Sequence, residues 1–364
     1  MKIITLLLVF LSLNSYSQII QTDSVTTLNQ DIKETSGLIF LNDKLITIND
    51  SGNSPTLYEI DTLSGNVSRE VFVSNATNVD WESICFDDNY IYIADIGNNL
   101  GSRQDLKVYR LSIYDYVNTP NDTVVVDTIA FNYANQTSFT PQQYSTNFDA
   151  ETLISFNDSL YVFTKNWGNS KTNIYALPKI PGNYSVALKD SIDTQGLITD
   201  AEYNPVLNEL ILIGHNINTP YVIKISSFSS DNFANGVLIK NYLNVTGSFQ
   251  TESICLVDNF TFYISSEKYS TLPSTLSRFS SLEFVNNNEI HFNDEHFVVY
   301  PNPATNYILL NNQKGSVLRI ISVQGQVVFE KIITSNQEKI DVHFLSKGLY
   351  FYQLKTSNGQ LIIE

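Results

Sequence analysis

Short apolar or alternating runs, each closed by Asn, Asp, Ser, Thr or Gly, recur along most of the chain. Strict alternation marks a half-buried strand, and a short unbroken apolar run between turn residues fits a strand covered on both faces. Long stretches with helical periodicity are absent. The runs also form a repeat. A Glu opens an apolar strand, a polar turn follows, and a second strand ends in polar residues. The copies read KETSGLIFLNDKLITINDSG from Lys33, DWESICFDDNYIYIADIGNN from Asp80, DAETLISFNDSLYVFTKNWGN from Asp149, DAEYNPVLNELILIGHNINT from Asp200 and TESICLVDNFTFYISSEK from Thr251. A third strand follows in most copies: TLYEID, KVYRLS, NIYALP, YVIKIS and TLSRFS.

The anchoring residues Glu34, Glu82, Glu151, Glu202 and Glu252 are spaced by 48, 69, 51 and 50 residues. The long gap is read as an insertion around residues 112–147, rich in Asn, Gln, Thr and Tyr. A repeat of about 50 residues with three or four strands predicts a propeller blade, because stacked blades bury faces that one blade cannot bury alone. The fold class expected is all-β: a five- or six-bladed β-propeller over residues 18–293, with repeats starting near 33, 80, 149, 200 and 250, then a small antiparallel β-sandwich. A sixth blade would be built from residues 19–32 and 282–293; alternatively those end segments close the ring by completing the fifth blade.

The N-terminus changes the picture of location. Lys2 precedes an almost wholly apolar run from Ile3 to Leu13, and Ser15 and Ser17 stand at −3 and −1 of a cut after Ser17. That is a signal peptide, residues 1–17, too short to span a bilayer. No later segment is apolar enough to cross a membrane. Export through the periplasm follows.

Two motif sets resemble known families. ETSGL…INDSG near the start resembles the opening of bacterial SdiA-regulated propeller proteins. The D-x-E-x-[IL] strand starts, and ESICLVDNFTFYISSEK…LSRF, resemble the propeller family labelled esterase-like activity of phytase. This similarity covers roughly residues 30–281 and implies the propeller fold more strongly than any activity.

Residues 298–364 read differently. VVYPNPATNYILL, VLRIISVQGQVVFEKII and IDVHFLSKGLYFYQLKTSNGQLIIE alternate around the Gln324-Gly325 turn and predict the sandwich. Tyr300-Pro301-Asn302-Pro303-Ala304, Gly325 and Leu345-Ser346-Lys347-Gly348-Leu349-Tyr350 resemble the type A C-terminal sorting domain of the type IX secretion system. The resemblance implies the type IX secretion machinery as partner, a protein of the Bacteroidota, and a secreted or outer-cell-surface destination. The segment departs from that family by ending on Leu361-Ile362-Ile363-Glu364 rather than on basic residues. The triplets Asp61-Thr62-Leu63, Asp127-Thr128-Ile129, Asp158-Ser159-Leu160 and Asp190-Ser191-Ile192 resemble the O-glycosylation sequon of exported Bacteroidota proteins; they are equally ordinary turn chemistry.

Charge narrows the partners. The net charge of −16 and a pI near 4.6 disfavour a nucleic acid. The two cysteines, Cys85 and Cys255, each lie three residues after a repeat Glu. Equivalent positions in non-adjacent blades are too far apart for a disulfide, so both are expected as buried free thiols.

The candidate chemistry is acidic. The first strand of each blade faces the axis, so Glu34, Glu82, Glu151, Glu202 and Glu252 are expected in a ring at one mouth, with Asp80, Asp149 and Asp200 on the same face. The second strand returns Asp50, Asp95, Lys165, His215 and Ser266-Glu267 to that mouth as candidate ligand-binding residues. Crowded carboxylates either hold protons or gather cations, and a hard cation with oxygen ligands, Ca²⁺, fits them. The five Glu are thus either metal ligands or blade-locking acceptors of backbone N–H groups. The turns Ile96-Gly97-Asn98-Asn99 and Trp167-Gly168-Asn169 are expected to shape the mouth, and Trp81 to pack between blades. No GxSxG, P-loop, GxGxxG or HExxH is present. Two functions stay open: a binding module, or a Ca²⁺-dependent phosphoesterase or esterase with His215 or Lys165 as catalytic candidates.

Overall fold

The structure is a computed structural model that describes residues 19–216, 219–284, 304–311, 315–323, 325–335, 337–354 and 357–363. The signal peptide, residues 285–293 of the proposed sixth blade and Tyr300–Pro303 lie outside the described residues. The chain divides into two compact units, Met1–Phe284 and Val285–Glu364.

Among its described residues the first unit carries five sheets, each opening with one repeat. Their inner strands are Thr35–Leu41 (sheet I), Trp81–Phe86 (II), Ala150–Phe156 (III), Leu197–Asn204 (IV) and Thr251–Leu256 (V). Each pairs antiparallel with the second strand of its repeat, and the third strand follows. Each inner strand lies beside the next in this order, and that of sheet V lies beside that of sheet I.

Burial explains the sequence pattern. The inner and second strands are buried on both faces, so they read as unbroken apolar runs. The outer strand Val67–Val73 has one wet face and alternates. Side chains from consecutive sheets form shared cores. Ile48, Trp81 and Tyr109 join sheets I and II; Leu28, Leu38, Cys255 and Leu276 join V and I. Trp81 is fully buried there, with its indole N–H on the Thr77 carbonyl at 3.0 Å. Cys85 and Cys255 are free and buried.

Residues 19–27 join existing sheets rather than a sixth blade, and part of them completes the fifth, the alternative reading. Ile19–Gln21 adds to the outer edge of sheet IV, parallel to Val237–Asn244, and Asp23–Thr27 completes sheet V against Thr275–Ser280. The supposed insertion at 112–147 is also partly regular structure. Asp127–Tyr133 is the fourth strand of sheet II, and Thr123–Val124 joins the edge of sheet I. The added parts are a short helix, Ile113–Asn118, and a loop that carries Tyr144.

Among its described residues the second unit carries two antiparallel sheets. Tyr307–Asn311 pairs with Gln337–Asp341, and a four-stranded sheet runs Val327–Ile332, Val317–Ser322, Gly348–Leu354, Ser357–Ile363. Alternate residues Ile308, Leu310, Leu318, Ile320 and Ile340 meet in one core. Among the described residues of the chain no helix is long and apolar enough to cross a membrane.

Candidate functional site

One irregularity recurs at the start of every inner strand. The ladder slips by one residue between Ser36 and Leu38, Trp81 and Ser83, Ala150 and Thr152, Ile198 and Asp200, and Thr251 and Ser253. The extra residues are Gly37, Glu82, Glu151, Thr199 and Glu252. A bulge bends the strand and re-aims its side chain. Three of the five repeat glutamates therefore share one structural position.

The other two do not. Glu34 precedes the bulge and sits at the rim, where its carboxylate accepts from the Asn53 amide at 2.8 Å. Glu202 follows the bulge by three residues and lies near the opposite end of its strand, beside Cys85 and Cys255 around a different cavity. The expected ring of five is thus a cluster of three, with Gly37 and Thr199 in the remaining places. In sheet I the bulge takes a positive φ of 68°, and a Cβ on Gly37 would meet the Ile84 backbone N at 2.7 Å, so only glycine fits. In sheet IV the Thr199 hydroxyl bonds the Thr251 carbonyl at 2.6 Å.

The expected aspartates separate as well. Asp80 joins the cluster: carboxylate oxygens of Asp50, Asp80 and Glu82 all lie within 4.8 Å of one another. Asp149 is fully buried and accepts from the Asn98 N–H at 2.7 Å and the Trp167 indole at 2.8 Å, so it ties the two mouth turns together. Asp200 sits midway along the inner strands. The Ser83 hydroxyl and the Ile254 N–H donate to its two oxygens at 2.9 and 3.0 Å.

The second-strand residues also part company. Lys165 and Glu267 stand in the cleft, and Lys165 Nζ is 3.0 Å from Glu151 Oε1. Asp95 is fully buried and turned to structural use, bonded by Arg103 at 2.9 Å and by the Asp80 N–H at 3.1 Å. His215 occupies the sheet IV position equivalent to Lys165 but is buried outside the cleft lining; among the described residues its Nδ1 has no hydrogen-bond partner.

The cleft has a volume of about 200 Å³ and is lined by Asp50, Glu82, Glu151, Lys165, Glu252 and Glu267, with Trp167 and Tyr144 at its edge. These two rings meet edge to face at 5.1 Å. Sequence reading missed Tyr144, which sits in a polar loop with no periodic signal. Missed too was Arg103, which bonds the Gly97 carbonyl at 2.7 Å and fixes the turn over the acids.

Electrostatics follow from the crowding. Burial, then Asp50 and Asp149, push Asp80 up to about 7. Burial and Asp50 hold Glu82 well above the usual carboxylate range. Glu252 is pushed up to about 7 by burial, against the pull of Lys165; Glu267 reaches about 8 through burial and Glu252. Burial opposes the charge on Lys165, but Glu151, Glu252 and Asp149 outweigh it and keep the ammonium protonated. His215 is lowered to about 4 by burial and by Lys165, so its imidazole is neutral near pH 7. The cleft can therefore hold cations, or protons that exchange near neutrality.

Comparisons with known proteins bear mainly on the second unit. Residues 298–364 match the family model described as a secretion system C-terminal sorting domain. Such a tail implies handling by the type IX secretion system and an exported, secreted or cell-surface destination. No curated protein matches the chain in sequence. Among solved structures the chain is similar to PorZ of Porphyromonas gingivalis, a bacterial surface component of the type IX secretion system, at 12% identity and a TM-score of 0.36. That match covers 91% of this chain but 45% of PorZ, so the chain spans less than half its length. It is also similar to an exo-beta-1,3-galactanase of Phanerochaete chrysosporium (11% identity, TM-score 0.44, covering 90% and 94% of the two chains). An alpha-L-arabinofuranosidase of Podospora anserina gives 10% identity, a TM-score of 0.43 and coverage of 72% and 96%.

Proposed function

We propose that this chain is an exported binding module: a closed five-bladed β-propeller, delivered by its sorting tail, whose acidic mouth holds a divalent cation. The order of the inner strands and the cores shared between consecutive sheets, V and I included, support closure. The short motifs shared with SdiA-regulated and esterase-like-activity-of-phytase propellers point the same way. The observation that carries the cation is the cluster of Asp50, Asp80 and Glu82, whose oxygens lie within 4.8 Å of one another. Oxygen donors of this kind suit Ca²⁺, and a bound cation relieves the repulsion that otherwise holds protons on the acids.

Thermal unfolding of the purified chain, stripped with chelator and titrated with Ca²⁺, tests this reading. A ligand that binds only the folded state raises the melting temperature with concentration. A saturable rise that disappears in Asp80→Asn/Glu82→Gln is expected. No rise in the unaltered protein means that the acids are structural and the reading fails.

A second reading, a Ca²⁺-dependent phosphoesterase or esterase, is favoured by one observation. Glu252 and Glu267, pushed up to about 7 and about 8, exchange protons at the pH where general acid–base catalysis works. Hydrolysis of model phosphate or carboxylic esters that needs Ca²⁺ and is lost in Glu252→Gln is its expected sign.

A further inference from the structure

The inner strands have a second end, with a cavity of its own. The five residues three places beyond the bulges, Phe40, Cys85, Ile154, Glu202 and Cys255, come from all five sheets and line about 370 Å³ of space. A water molecule occupies about 30 Å³ of bulk liquid, so a small organic molecule fits. Phe86 and Tyr203 continue the wall.

Charge at this end is unbalanced. Lys179, the cation of the lining, is spent: its ammonium is 2.9 Å from Asp87 and 2.8 Å from the Asn157 carbonyl. Asp87 is correspondingly satisfied by Lys179, by the Tyr92 hydroxyl at 2.8 Å and by backbone N–H groups. Asp88 is exposed at the rim. Glu202 stands within the cavity lining, and among the described residues its carboxyl has neither a hydrogen bond nor an ion pair. Burial, then Asp200, push it well above the ordinary range. Glu202 is half-buried, so its carboxyl is left to solvent or to a cation that enters the cavity.

The missing partner is not a bare metal ion. Among the described residues the acidic or thiol groups gathered closely enough to hold one are Asp50, Asp80 and Glu82. Cys85 and Cys255 are not gathered with Glu202 in that way. Burial and the Glu202 charge also push both thiols up, so they are soft neutral walls rather than nucleophiles.

We propose that this cavity binds a primary ammonium carried on a short apolar stem, with the ammonium against the Glu202 carboxylate and the stem against Phe40, Ile154 and Phe86. The inference is independent of the cation cluster at the other end.

The test is titration of the intact chain at pH 8 with n-butylammonium chloride, followed by melting temperature and calorimetry, with n-butanol as the uncharged counterpart. Saturable binding of the amine, weakened about tenfold or more in Glu202→Gln and unchanged in Glu82→Gln, is the expected result. Glu202→Gln removes no observed hydrogen bond and should fold. Should it not, Ile154→Phe, which narrows the cavity and leaves the charge, must weaken the same amine. Equal binding of n-butanol, undiminished binding by Glu202→Gln or Ile154→Phe, or no binding of the amine overturns the proposal.

Discussion

Gly97 lies so close over Asp80 and Glu82 that a Cβ there would meet the carboxylate of each. The turn is held down by Arg103 on the Gly97 carbonyl. Because the atoms in the way are ends of flexible side chains, Gly97→Ala should spare the fold and spread the acids. Calorimetry with Ca²⁺ should show affinity reduced about tenfold, a change of about 1.4 kcal/mol, with little change in melting temperature in chelator. Asp200→Ala should do the reverse. Asp200 takes hydrogen bonds from Ser83 of sheet II and Ile254 of sheet V, and Ser83 in turn accepts from the Leu153 N–H of sheet III. Removing it strands buried donors and should cost about 2–4 kcal/mol in denaturant unfolding, with the cation cluster intact.

At the scale of elements, the bulges decide which side chains reach the cleft, and the N-terminal strands decide whether the sheets are complete. Asp23–Thr27 covers the edge of sheet V, and Ile20 beside it is buried against sheet IV. Deleting residues 19–27 loses one buried isoleucine and the ladders of two outer strands, on the order of 5 kcal/mol. It also bares the edge strand Thr275–Ser280, a template for aggregation. Chemical denaturation should show the lower stability, and light scattering the association.

For the whole molecule the acidic cleft sets an unusual pH response. Glu252 and Glu267 titrate near 7 and 8 when folded, against an ordinary 4.5. The folded state holds protons that the unfolded chain has released, so stability in chelator should rise as pH falls from 8 toward 4.5. His215 works the other way. Its folded value of about 4 lies below the ordinary 6.5, so its contribution is present above 6.5 and is lost as pH falls toward 4. The two effects overlap below 6.5, which makes pH 8 to 6.5 the clean window. Melting temperature should rise across it, and Glu252→Gln/Glu267→Gln should reduce the rise, with Asp80, also pushed up to about 7, supplying what remains.

Much of this architecture is written locally. Five repeats, their turn residues and the alternation of outer strands set an all-β chain of successive sheets, because strand periodicity and turn chemistry act over a few residues. The motifs of residues 298–364 likewise identify the sorting tail from the sequence alone. The acids of the cleft were only partly legible. Asp149-Ala150-Glu151 and Asp200-Ala201-Glu202 are the same tripeptide, yet Glu151 meets Lys165 in the cleft while Glu202 lines the far cavity. Nothing within the three residues tells them apart. The difference is set by register: pairing with the second strand puts the bulge on Glu151 in sheet III and on Thr199 in sheet IV. Register is a property of two strands packed against a shared core, and a slip along the ladder changes both the height and the face of every side chain. The sequence therefore determined which elements form and which residues carry charge; the tertiary structure decided which of those charges share one site.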